Sequence, residues 1–134
     1  MTETSGFAAN TSGATIAVIA TGTPVPLPDA QNLSADITAN VGDTIFTIAP
    51  AGRYYVSYNV NLTVGALLGS RLIINGSDNL ASTINPVLTL SSYSAEIIVT
   101  LPANSTITLE LFGLLGTAVL QAGAGASLTI IRLE

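Results

Sequence analysis

The sequence contains no cysteine and no histidine. Without histidine it lacks the commonest general base and a usual zinc or copper ligand. Without cysteine it lacks a thiol nucleophile and any disulfide framework. Ser-His-Asp and Cys-His catalysis are therefore excluded, and we expect no enzymatic activity, no catalytic residues, no cofactor and no metal site.

Charge is also scarce. Only 8% of the 134 residues are charged, against about 25% in a typical soluble domain. There is no lysine, and the three basic residues are Arg53, Arg71 and Arg132. The formal net charge is −5. So few cations cannot track a phosphate backbone or anionic headgroups, which excludes nucleic acid and acidic membranes as partners.

The sequence also lacks a hydrophobic run long enough to span a membrane. Hydrophobic residues make up 49% of the chain. The longest apolar stretch, residues 109–120, is interrupted by Glu110, Gly113 and Gly116 and is shorter than the roughly 18 residues that mark a membrane span. We expect no membrane insertion. The excess apolar surface is best hidden against copies of the same chain, which favours a homo-oligomer.

What the sequence has is strand-forming residues in alternating patterns. Val, Ile, Leu and Thr dominate, and β-branched side chains suit a pleated sheet. Residues 53–64 alternate strictly, with Tyr54, Val56 and Tyr58 on one face and Tyr55 and Ser57 on the other. We predict about ten strands and no helix, and so an all-β, antiparallel jelly-roll sandwich.

The predicted organisation is one domain over residues 14–134 after a flexible leader, residues 1–13, which is small and polar. The other predicted strands cover residues 15–20, 33–39, 44–49, 71–74, 81–84, 94–101, 106–111, 114–120 and 127–133. The alternate prolines of residues 23–28 predict an extended edge segment. Asn75-Gly76 predicts a hairpin turn, and the small residues 122–126 a connection between strands.

Carboxylates are the remaining candidates for chemistry. Glu96 and Glu110 lie on consecutive predicted strands and could face each other, as glycoside hydrolysis requires. The alternative, which we favour, is that they are solvated residues or ion-pair partners of Arg71 or Arg132. A bound calcium ion has no support in the spacing of the Asp residues, which are scattered singly.

Tyr55, Ser57 and Asn59 form an uncharged polar stripe with an aromatic residue on the outer face of the clearest strand. Such a stripe is either ordinary exposed surface or a subunit interface. Aromatic and uncharged polar residues replace charged ones in interfaces, so we favour the interface.

Several segments resemble known families. The segment AGRYYVSYNV (residues 51–60), with RLIING (71–76) and LTIIRL (128–133), resembles the C1q/tumour-necrosis-factor jelly rolls. Together with GTPVPLP (22–28), LFGLLG (111–116) and GASLTIIRL (125–133), it is similar to the C-terminal domain of collagen-like exosporium glycoproteins, the filament proteins of bacterial spores.

This resemblance implies a ten-stranded jelly roll that forms a tight homotrimer at the end of a collagen-like stalk and keeps the three stalk chains in register. It implies a place on the spore surface, where the head meets host proteins, glycans and antibodies, and it implies that Tyr55, Ser57 and Asn59 face a neighbouring subunit. The alternative is a trimeric receptor- or glycan-binding knob of a phage fibre or other collagen-like fibre.

Overall fold

A computed structural model describes residues 3–113 and 116–134. The strands in chain order are β1 (Ser5–Ser12), β2 (Thr15–Val18), β3 (Thr23–Pro24), β4 (Asp29–Leu33), β5 (Ile37–Ala39), β6 (Phe46–Ile48), β7 (Gly52–Ala66), β8 (Gly69–Ile74), β9 (Ser77–Asp78), β10 (Leu90–Leu101), β11 (Ser105–Phe112), β12 (Gly116–Val119) and β13 (Ala122–Arg132). One short 3-10 helix, Leu80–Ser82, precedes β10.

The strands form two facing sheets. The front sheet has the order β10-β7-β13-β1-β4, and the back sheet has the order β5-β6-β11-β8-β9, with β3 also paired to β11. β12 and β2 form a separate two-stranded pair. All neighbouring strands run antiparallel. The predicted all-β jelly-roll sandwich is thus confirmed, with β3 and β9 as additional two-residue strands.

The core lies between the two sheets and follows the predicted alternation. Tyr54, Val56 and Tyr58 of β7 are buried against back-sheet residues such as Leu72 and Leu109. The rings of Tyr54 and Tyr58 place phenol groups inside an apolar core, so each hydroxyl needs a hydrogen-bond partner. The Tyr54 hydroxyl donates to the Pro50 carbonyl at 2.6 Å. Burial raises the pKa of both phenols, which keeps them neutral.

The prediction that residues 1–13 are a flexible leader is wrong. Ser5–Ser12 form β1, which pairs with β13 on one side and β4 on the other. Its small residues show no hydrophobic period. The space for a side chain at Gly6 is narrow. A Cβ on Gly6 would lie 2.9 Å from a methyl group of Leu33 and 3.3 Å from one of Ile37. The backbone ladder, rather than large side chains, holds this strand in the sheet.

Three other predictions also need correction. Residues 122–126 are the start of β13, since small residues extend a strand where its neighbours supply the hydrogen bonds. Residues 33–39 are split between the two sheets by a turn, in which the Ile37 amide donates to the Ser34 carbonyl at 3.0 Å. Residues 81–84 are not a continuous strand: Leu80–Ser82 form the 3-10 helix, which Asn79 caps by accepting from the Ser82 amide, and Ile84 pairs with Ser70 as an isolated β-bridge.

Two local predictions are confirmed. Asn75 and Gly76 have φ values of 52° and 79° and link β8 to β9 as a two-residue hairpin turn. The proline-rich segment is extended, with buried Val25 and Leu27 alternating with the prolines. Of the predicted strand at residues 114–120, the first two residues lie outside the described residues, and the next four form β12.

Candidate assembly face

The candidate site is the outer face of the front sheet. Because Tyr54, Val56 and Tyr58 point into the core, the residues between them on β7 point outward. Tyr55 and Ser57 are half-buried there, and Asn59 is exposed. The structure therefore places the three predicted interface residues on one outward face, while their contact with another subunit stays a prediction.

The neighbouring strands extend this face into three rows that cross β10, β7 and β13. The rows are Ile98, Tyr55 and Ile131; Glu96, Ser57 and Thr129; and Ser94, Asn59 and Ser127. The first row is apolar and aromatic, and the other two are polar with a single charge. We call these three rows, together with Phe7, the assembly face. Phe7 lies opposite Thr129 on the adjoining strand β1.

Three apolar residues of this face were not predicted from the sequence. The exposed fractions are 59% for Ile98 and 39% each for Ile131 and Phe7. A signal existed for two of them, since Ile98 and Ile131 fall at strand positions where the alternation predicts polar residues. Phe7 gave no such signal because it lies in the segment predicted to be flexible.

Glu96 is tied to Tyr55 by a hydrogen bond. The Tyr55 hydroxyl donates to Glu96 Oε2 at 2.7 Å across the strand pair β7–β10. This bond to a carboxylate is the main reason that the pKa of Tyr55 lies above its ordinary value. The two residues, with Ser57, Asn59 and Ser94, line an open depression of about 450 Å³.

The glycosidase hypothesis fails on geometry. Although β10 and β11 are consecutive, β10 lies in the front sheet and β11 in the back sheet, so Glu96 and Glu110 do not face each other across a pair of strands. Glu110 Oε1 instead accepts from Arg71 Nη2 at 2.7 Å and Nε at 2.8 Å. The favoured alternative, an ion pair between Glu110 and Arg71, is confirmed.

Arg71 is the centre of a structural cluster on the back sheet. Its guanidinium also pairs with Asp78 at 3.2 Å and stacks 4.0 Å from the centroid of the Phe112 ring. Gly22, which has a positive φ of 124°, passes so close that a Cβ there would overlap the Glu110 carboxylate. The charged groups of this cluster pair with one another. The cluster therefore has a structural role, which is to fix the turn between β2 and β3.

A second polar cluster fastens the beginning of β1. The Asp36 carboxylate accepts from the hydroxyls of Thr4 and Ser34, each at 2.6 Å. These two bonds hold the pKa of Asp36 below its usual value, with Ser34 the larger cause. Nearby, the Arg132 amide donates to the Thr4 carbonyl at 3.0 Å. The two ends of the described chain therefore lie at the same end of the sandwich.

Residues 3–113 and 116–134 bring no three carboxylates together in a way that would hold a metal ion. Across the same residues, no helix is long and apolar enough to cross a membrane.

Comparisons with known proteins agree with this architecture. Residues 6–134 match the family model described as the BclA C-terminal domain, and the match includes most of β1. The globular domain of the zebrafish complement 1qA protein has a similar structure, with a TM-score of 0.63 at 15% identity, covering 98% of each chain. At that identity the likeness shows the fold alone, and the fold is C1q-like. None of the curated proteins matches this sequence.

Proposed function

This chain belongs to the BclA C-terminal domain family, and from that membership we propose that it is the non-enzymatic, homotrimeric head of a collagen-like glycoprotein filament on the spore surface. The assembly face joins the copies, and the joined heads keep the stalk chains in register. The family and the C1q-like fold support a head domain of a collagen-like protein. The trimeric state, the contacts between copies and with the host, and the location on the spore surface are our proposals.

One observation carries the proposal: an apolar row lies on a nearly uncharged outer face. Ile98, Tyr55 and Ile131 are adjacent across three strands, and Phe7 adds an exposed apolar side chain on the adjoining strand β1, opposite Thr129. A sheet face that meets only water typically alternates to polar residues. Apolar and aromatic residues surrounded by uncharged polar ones are instead the composition of an interface core.

The position of the chain ends supports the attachment of a stalk. Glu3 and Thr4 lie at the same end as Glu134, whose carbonyl accepts from the Arg53 amide at 2.8 Å. A stalk that precedes the domain would join at this end. The loop before β10 then lies at the far end, where Val87 and Leu88 are 77% and 64% exposed. We propose that this far end makes the outer contacts with host proteins or glycans and is the surface that antibodies meet.

The interface can be tested by placing a charge in the apolar row. In Ile98→Asp, a carboxylate replaces the most exposed apolar residue of the assembly face, and burying an unpaired charge opposes association. The matched control is Val41→Asp on the β5–β6 loop, where Val41 is fully exposed. Light scattering should give the control three times the 13.6 kDa chain mass and Ile98→Asp a single chain mass.

Circular dichroism must show that Ile98→Asp keeps its β-sheet spectrum, so that a lost trimer is distinguished from a lost fold. If Ile98→Asp assembles as well as Val41→Asp, the assembly face is not the interface. If the unmodified protein is a single chain, the trimeric head itself is wrong.

A second candidate function, the trimeric glycan-binding knob, rests on the depression between β7 and β10. Its lining offers the aromatic ring of Tyr55, the neutral polar groups of Ser57 and Asn59, and the carboxylate of Glu96 as an acceptor for hydroxyls, which suits a neutral saccharide. A glycan array with the unmodified protein and Asn59→Ala would decide. Saccharide binding that Asn59→Ala abolishes without changing the solution mass would favour the knob.

A further inference from the structure

Glu96 is a charged residue on an assembly face that is otherwise apolar or neutral. Strands β10, β7 and β13 contain three charged residues, Glu96, Arg53 and Arg132. Arg132 lies opposite the core residue Tyr54, so it belongs to the inward positions of β13. Arg53 is outward but lies at the end of β7, opposite Thr100. Glu96 is thus the charge that lies within the three rows themselves.

The side chains nearest to Glu96 carry no positive charge. β10 is an edge strand whose partner in the sheet is β7, and the groups of β7 nearest to Glu96 are the opposite Ser57 and the Tyr55 phenol. β10 has no second charged side chain, and its other titratable group, Tyr93, is buried on the inner face. The adjacent 3-10 helix, Leu80–Ser82, has no titratable residue.

The basic groups of the chain have other partners. Arg53 Nη1 pairs with Glu134 Oε1 at 3.2 Å. Arg71 is held in the back sheet by Glu110 and Asp78. Arg132 donates to the Ala51 carbonyl at 2.8 Å. In a single copy, the Tyr55 hydroxyl is therefore the donor that the described residues give to the Glu96 carboxylate, which is otherwise exposed to water, and a second copy that covers it would remove the water.

We infer that assembly of copies of this chain is coupled to protonation of Glu96, so that acid tightens the assembly and mild base loosens it. This inference rests on the proposed function, because it requires that the assembly face be covered by another copy. The physical reason is that an ionised carboxylate loses its hydration when covered, and none of the three arginines is placed to replace that hydration. Burial therefore favours the neutral form of the carboxyl group.

The direction and size of the effect follow from linkage. If each copy takes up one proton on assembly, the association constant rises about tenfold per copy for each pH unit of acidification, or about a thousandfold for a trimer. The effect ends in acid, once the carboxyl group of a separate copy is itself protonated and assembly takes up no further proton. Glu96→Gln mimics the protonated form permanently, since its amide oxygen still accepts from Tyr55.

The test compares the unmodified protein, Glu96→Gln and a matched control, Glu3→Gln, which makes the same chemical change outside the sheets. Thermal midpoints and sedimentation-derived masses are measured for each from about pH 4 to about pH 8, a range that begins near the ordinary carboxyl pKa. We expect Glu96→Gln to melt higher than the unmodified protein at neutral pH. The gap should close toward the acid end, while Glu3→Gln follows the unmodified protein throughout.

Three outcomes would overturn the inference. In the first, the gap between Glu96→Gln and the unmodified protein is constant with pH. In the second, there is no gap at any pH. In the third, Glu96→Gln weakens the assembly, which would mean that a cation of a neighbouring copy pairs with the carboxylate. In all three the protein still assembles, so the proposed function survives. A single-chain mass for all variants at every pH would instead refute the proposed function.

Discussion

Replacing Tyr58 by phenylalanine removes one oxygen from the centre of the sandwich and leaves the ring in place. The Tyr58 hydroxyl donates to the Ser82 carbonyl at 2.6 Å, and it lies 2.8 Å from the Ser70 hydroxyl. Tyr58 is 1% exposed, and Ser70 and Ser82 are equally buried. In Tyr58→Phe, one buried carbonyl and one buried hydroxyl lose a partner, and no water reaches them. This contact joins β7 of the front sheet to β8 and the 3-10 helix.

Leaving a buried polar group without a partner costs about 1–3 kcal/mol, so the variant should lose about 2 kcal/mol of unfolding free energy. For a domain of this size that is about 8 °C in thermal midpoint. The internal control is Tyr55→Phe, which removes a hydroxyl from the other face of the same strand. Its bond to Glu96 is at the surface in a single copy, so in the Ile98→Asp background, where the assembly face is uncovered, its midpoint should move by no more than about 2 °C.

Differential scanning calorimetry of Tyr58→Phe beside the unmodified protein, and of Tyr55→Phe beside its Ile98→Asp parent, measures both shifts. Equal shifts for Tyr58→Phe and Tyr55→Phe would refute the assignment of Tyr58 to the core and Tyr55 to the outer face. A loss in Tyr55→Phe larger than in Tyr58→Phe would mean that the outer face is more completely buried than the core contact.

Two further predictions concern the start of the chain. Deleting residues 1–12 removes β1 from between β13 and β4 and should abolish cooperative thermal unfolding, whereas a flexible leader would leave the midpoint unchanged. Asp36→Asn should cost about 1 kcal/mol near neutral pH, because hydroxyls stabilise the ionised carboxylate. Because the folded pKa of Asp36 is depressed, this stability is present above the unfolded value of about 3.9 and lost as the pH falls through the folded pKa. Melts at a series of pH values from about 7 downward should therefore show a deficit that begins to shrink below about pH 3.9, and a deficit that stays constant into acid would contradict this origin.

The strands that could be predicted from the sequence are those in which large side chains reveal the period. β7 is the clearest, because Tyr54, Val56 and Tyr58 must all reach the core. β11 and the end of β13 follow the same rule. β1 could not be predicted, since its buried positions include Gly6 and Ala8, which are too small to show a hydrophobic period. A strand that is held mainly by backbone hydrogen bonds to its neighbours shows no hydrophobic periodicity in its sequence.

The assembly face could be predicted only in part for a related reason. Tyr55, Ser57 and Asn59 could be placed together from one alternating strand. Ile98 and Ile131 join them through the pairing of β10 and β13 with β7, and that pairing is a property of the topology. The same limit explains the error on Glu96 and Glu110, because consecutive strands of a sandwich often cross from one sheet to the other.

The central claim is that three copies of this chain share the outer face of the front sheet. Sedimentation equilibrium of the unmodified protein in dilute neutral solution tests it most directly. We expect a mass three times the 13.6 kDa of one chain. This mass should stay unchanged on dilution down to the concentration at which the trimer dissociates. A folded protein with the mass of one chain at all concentrations would contradict it.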